Sequence, residues 1–267
     1  MKLKMDNFKG MKRIKTLKPA YERLSCVLFT VLFMLQIPAI AQQGVDREYI
    51  HMNHLWMDFD FEQKIAEKVK LGVDIPWRRQ SLEEGSLKIY DRFHYFGFRL
   101  WTTINLAEDV DLSISPFAYI YSVSATNDYE ELENWEEELR FTIRVRHAPV
   151  DAAVSHRYAA ERRYFRNYEE NQWSEFRFRY RLQFNREVFK YYSLIVNDEI
   201  FINMGNDISY NIFDMNRFFA GFRREVCPQV KITAGYRNIL EQLPSGETFN
   251  MIHAMVFTLS INSTLSD

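Results

Sequence analysis

Residues 175–185 read EFRFRYRLQFN, an unbroken alternation in which Glu175, Arg177, Arg179, Arg181, Gln183 and Asn185 take one side and Phe176, Phe178, Tyr180, Leu182 and Phe184 take the other. Successive side chains of a strand point to opposite faces, so this segment is a β-strand with one apolar and one charged face. The same period recurs outward in both directions. On the C-terminal side Tyr192, Leu194, Val196, Ile200 and Ile202 oppose Ser193, Asn197, Glu199 and Asn203, with Asp198 breaking the apolar side and read as a wet rim. Further on, Phe218, Ala220 and Phe222 oppose Arg217, Phe219, Gly221 and Arg223, and Val230, Ile232, Ala234 and Tyr236 oppose Lys231, Thr233, Gly235 and Arg237. On the N-terminal side Leu139, Phe141, Ile143 and Val145 oppose Glu138, Arg140, Thr142, Arg144 and Arg146, and Val69, Leu71, Val73, Ile75 and Trp77 oppose Lys70, Gly72 and Asp74.

These patterns predict strands over 49–60, 66–77, 88–105, 109–123, 135–147, 154–167, 173–187, 190–204, 214–226, 229–241 and 249–261. Most run about 10 to 15 residues, longer than the usual 5 to 6 of soluble sheets and enough to cross a bilayer at a tilt. Connections at 107–108, 187–189 and 227–228 are tight, whereas 78–87, 124–134, 205–213 and 242–248 are longer and polar. Short turns on one side and long loops on the other match the periplasmic turns and extracellular loops of an outer-membrane barrel. The expected fold is therefore all-β, a closed antiparallel up-and-down transmembrane β-barrel of 10 to 12 strands. Because single-chain bacterial barrels are even-numbered, twelve is favoured over eleven, with the extra strand sought in 42–48 or within 88–105.

Composition agrees with a strand-rich folded chain: 267 residues, 47% hydrophobic and 16% aromatic, with only 9 Gly and 7 Pro. The net charge of -2 hides an asymmetry, because residues 1–41 hold eight Lys/Arg against Asp6 and Glu22. Beyond them 26 basic residues face 34 acidic ones, which removes the electrostatic support for a nucleic-acid partner. The basic stretch leads into the apolar run LSCVLFTVLFML at 24–35, then Pro38 and Ala39-Ile40-Ala41 before Gln42, the three-part anatomy of a secretory signal peptide. Twelve residues rise about 18 Å as a helix, short of the roughly 30 Å hydrocarbon core. The expected layout is a signal peptide at 1–41, translated from Met1 or Met11 and cleaved after Ala41, and a barrel domain at 42–267. Cys26 lies in the leader, leaving Cys227 as the single cysteine of the mature chain, with no intramolecular disulfide available to it.

Several segments together resemble a known family. His156-Arg157-Tyr158 with Glu161-Arg162-Arg163, the run Phe178-Arg179-Tyr180-Arg181-Leu182, the segment from Asn197 to Asn203 and the passage from Asp214 to Gly221 are similar to the barrel family called domain of unknown function 2490. The likeness covers roughly 45–261 and is firmest over 154–237. It implies an outer-membrane β-barrel of a Gram-negative, Bacteroidota-like bacterium, exported by its leader, with outer-membrane lipid, lipopolysaccharide and the barrel-assembly machinery as partners. It implies no activity and no catalytic residues. The stretch at 151–155 departs from the plain strand start expected there.

The candidate site is the charged face. Arg140, Arg144, Arg157, Glu161, Arg163, Glu175, Arg177, Arg179, Arg181 and Glu199 alternate with apolar residues, and Arg forks pair carboxylates in two-point geometry suited to a crowded lumen. Such a lining serves a structural barrel or a narrow pore, with a small anionic solute as a possible ligand. No enzyme and no cofactor are expected: His51 and His54 are three apart and fall on opposite faces, and nothing in the spacing ties His94 or His253 to Ser86 or Asn250. The acidic stretch at 128–138 reads as a solvated loop, with divalent-cation bridging to lipopolysaccharide phosphates as its alternative. Two other readings fit the same residues: a membrane-barrel hydrolase acting on lipid or lipopolysaccharide, and a soluble periplasmic β-sandwich or lipocalin-like binder.

Overall fold

The computed structural model describes residues 47–123, 134–150, 152–204, 212–243 and 246–264, so the expected leader at 1–41 and most of the 42–48 segment lie outside the described residues. Eleven strands follow one another: β1 (Glu48–Ala66), β2 (Val69–Gln80), β3 (Arg92–Ala107), β4 (Val110–Val123), β5 (Trp135–His147), β6 (Val154–Asn167), β7 (Gln172–Phe189), β8 (Tyr192–Met204), β9 (Phe213–Cys227), β10 (Val230–Gln242) and β11 (Thr248–Thr264). Each pairs antiparallel with its sequence neighbour, and β1 closes the barrel on β11.

The closing pair is parallel, running from Glu48↔Thr248 to Lys64↔Thr264. The closed barrel of eleven strands falls within the expected 10 to 12, and the structure corrects two finer points, the favoured twelfth strand and the purely antiparallel sheet. With an odd number of alternating strands, the first and last point the same way, and closure without an edge requires that they pair in parallel. Residues 88–91 precede β3 rather than belonging to it, and the strand continues through Ala107 to a turn at 108–109. Of the acidic stretch at 128–138, residues 128–133 lie outside the described residues, and 135–138 belong to β5 rather than to a loop.

Four connections at one rim are two-residue turns, at 67–68, 108–109, 190–191 and 228–229, and the fifth spans 148–153. The other rim carries the connections at 81–91, 124–134, 168–171, 205–212 and 243–247. Alternation then sorts the side chains. Every strand places at least one large apolar residue outward, from Met57 on β1 through Phe141 on β5 and Phe178 on β7 to Phe257 on β11, each 40% or more exposed. The inward faces meet around a cavity of about 670 Å³ that touches all eleven strands.

Gly221 and Gly235 face each other across β9 and β10, and the ring of Phe219 lies over both. A Cβ on Gly221 would sit 2.5 Å from the Ala234 carbonyl oxygen and 2.7 Å from the Phe219 ring, so the ring can lie over this pair only because neither residue has a side chain.

Candidate functional site

Two unlike linings share the interior. Around β1 and β8–β11 lies an apolar cluster that includes Met52, Trp56, Ile195, Phe201, Phe219 and Ile239. Along β5–β9 lies a continuous ionic network built by strand register. Glu161 stands opposite Arg177, Arg163 opposite Glu175 and Arg181 opposite Glu199, so opposite charges meet directly across neighbouring strands.

Three carboxylates organise the network. Glu161, with no exposed surface, accepts from Arg177 Nε and Nη2 at 2.9 and 2.7 Å and from Arg179 Nη1 at 2.6 Å, with Arg140 Nη1 at 3.7 Å. Glu199 accepts from Arg157 Nη2 at 2.6 Å, from Arg179 Nη2 at 2.9 Å and from Arg181 Nη2 at 2.9 Å. Glu138 is gripped by two forks: Arg140 at 2.6 and 2.7 Å and Arg163 at 2.8 and 3.1 Å. Arg163 also reaches Glu175 at 3.1 Å, and Arg177 reaches Asp214 at 2.8 Å. Arg140 faces Arg163 and Arg157 faces Arg181, pairings that would repel were Glu138 and Glu199 not shared between the two forks.

Of the ten residues expected from the sequence, nine meet in this network. Arg144 does not: its Nη2 donates to Ser113 Oγ at 3.2 Å and its guanidinium carbon lies 4.0 Å from the centre of the Trp101 ring. Glu138 and Asp214 were absent from that set. Glu138 was legible, being on the charged side of the 139–145 alternation. Asp214 was not, because it sits at the irregularity between Phe201↔Met215 and Ile202↔Phe213, where the period slips and its carboxylate reaches Arg177.

The remaining candidates fall elsewhere. His54 is buried and its ring meets His94 edge-on at 4.8 Å, whereas His51 stacks on His253 at 5.8 Å. His94 Nδ1 lies 3.1 Å from the Val123 carbonyl oxygen, and His253 Nδ1 lies 2.6 Å from Tyr236 Oη, so their bonding partners are neither Ser86 nor Asn250. Asp198 is not at a rim. It sits mid-strand at 7% exposure, accepting from Asn216 Nδ2 at 2.9 Å, which answers its charge within the wall. Cys227 is a free thiol at the end of β9.

A closed β-barrel whose outward faces are apolar and whose interior is ion-paired is the class that this fold and this lining define. The chain belongs to the family described as "Protein of unknown function (DUF2490)", whose profile matches residues 53–250, from β1 into β11. A comparison with curated proteins gives no match.

Proposed function

We propose that this protein is an integral outer-membrane barrel of a Gram-negative cell, a structural or narrow-pore protein rather than an enzyme, whose partners are lipid and lipopolysaccharide outside and small solute inside. One observation carries the reading: large apolar side chains are exposed on all eleven strands while arginine and glutamate crowd the interior, the inverse of a water-soluble sheet. In a soluble sandwich or lipocalin-like binder the charged faces would meet water and the apolar faces would fill the centre. The ionic network and the apolar cluster share the interior with a cavity of about 670 Å³, which favours a narrow passage over a wide one.

Cell fractionation tests the proposal. The protein should partition with the outer membrane and migrate faster on a gel when unheated than when boiled, because a closed barrel resists detergent. Phe178→Arg should cost about 2 to 4 kcal/mol of folding stability in lipid if that residue lies near the bilayer midplane. Recovery in the soluble periplasm, or indifference of lipid insertion to Phe178→Arg, overturns the reading.

A further inference from the structure

Every guanidinium in the ionic network is answered by a carboxylate of the chain itself. Other arginines among the described residues are not, and three of these stand together. Arg78 on β2, Arg217 on β9 and Arg237 on β10 gather around the indole of Trp56, with their guanidinium carbons 3.7, 5.5 and 4.8 Å from the ring centre. Each also lies over a second ring: Arg78 over Tyr95 at 4.0 Å, Arg217 over Phe201 at 4.5 Å and Arg237 over Phe219 at 5.4 Å. The Nε atom of each is buried and has no hydrogen-bond partner among the described residues. All three line the central cavity.

Stacking explains how these cations are held but not what they are for. A guanidinium stacks through its face, whereas its five N–H donors lie in its plane and project from its edge. Aromatic contact therefore orients the fork and leaves the donors unused. Three like charges around one indole repel one another, and no acidic group among the described residues is paired with any of them. Asp58 and Glu241 line the same cavity but lie beyond ion-pair distance, Glu241 accepts from Asn250 at 3.3 Å, and Glu199 is taken by Arg157, Arg179 and Arg181. His94, which also lines the cavity, is bonded to the Val123 carbonyl.

We propose that Arg78, Arg217 and Arg237, set on the Trp56 platform, form a binding site for a small, multiply charged soluble oxyanion, a polyphosphate or a polycarboxylate. Carboxylate and phosphate oxygens match the arginine fork, and the cavity, at about 670 Å³, is of the size that takes small ligands. The site depends on the barrel's interior and not on where the barrel resides. Its test on purified protein is therefore separate from the fractionation test of the proposed location.

The experiment is calorimetric titration of the folded, detergent-solubilised protein with inorganic pyrophosphate and, in parallel, with citrate. One saturable site is expected, weakened by added salt. Arg217→Gln and Arg237→Met should each weaken binding about tenfold or more, the loss of one charge-assisted contact. Arg146→Gln, at a rim position 51% exposed and paired with Asp111, should leave binding unchanged. The same two cavity variants should unfold at a higher temperature than the parent when no anion is present, because like-charge repulsion is relieved, and should lose the thermal shift that pyrophosphate gives the parent. If one fails to fold, the other carries the comparison. No saturable binding at millimolar anion, or equal binding by parent and variants, overturns the proposal. So does binding confined to dihexanoyl phosphatidic acid below its micelle concentration, which would make the ligand a lipid headgroup.

Discussion

Glu161 sets the balance of charge at the scale of single residues. It holds Arg140, Arg177 and Arg179 together at 0% exposure, whereas Arg179 is one of three arginines on Glu161 and one of three on Glu199. Removing Arg179 leaves each carboxylate with two partners. Removing Glu161 takes one partner from three buried guanidiniums at once, leaving Arg140 only Glu138, Arg177 only Asp214 and Arg179 only Glu199, and breaking such a buried cluster costs about 3 to 5 kcal/mol. Glu161→Gln should therefore lower the unfolding temperature more than Arg179→Ala does. Thermal melts of both variants in one detergent check the order, and the reverse order would mean that the carboxylates, not the arginines, are in excess. The sign also separates the two linings: losing a charge from the ionic network destabilises, whereas losing Arg217 or Arg237 stabilises the unliganded protein.

For the strands, the closing pair carries the most information. Parallel pairing of β1 with β11 places Met57 beside Phe257 on the outer face. In a Cys227→Ser background, Met57→Cys with Phe257→Cys should form a cross-strand disulfide under mild oxidation, seen as altered gel mobility that reductant reverses. The pair Met57→Cys with Leu71→Cys should not, because Met57 faces Trp77 on β2. Absence of the first cross-link, with both variants folded, would show that another strand intervenes between β1 and β11. That is the arrangement an even-stranded barrel requires.

Taken whole, an eleven-strand barrel sends its two ends to opposite rims. β1 begins at Glu48 on the rim of the longer connections, and β11 finishes at Thr264 on the rim of the two-residue turns. If the barrel spans the outer membrane, an epitope placed ahead of Glu48 and one placed after Thr264 face different compartments. Antibody labelling of intact and of permeabilised cells should reach one epitope in the first case and both in the second. Labelling of both epitopes on intact cells would require an even number of crossings.

The sequence alone determined the faces. A two-residue period is a local property, written in 175–185 and its neighbours, and it placed Phe178 outward and Arg179 inward without any knowledge of partners. It also placed nine of the ten expected residues in one network, because hairpin register carries the alternation of one strand directly onto the next. Only the tertiary structure decided the strand number and the direction of the closing pair, since β1 and β11 lie at opposite ends of the described chain and parallel and antiparallel partners share the same period. Asp214 escaped because a local slip in register overrode the alternation that would have turned it outward. The Trp56 arginines escaped for a different reason. Arg78 lay past the expected end of its strand, and Arg217 and Arg237 looked like any other charged positions on theirs. What distinguishes these three is that curvature brings β1, β2, β9 and β10 around one indole with no carboxylate within ion-pair reach, and curvature belongs to the closed sheet rather than to any segment of it.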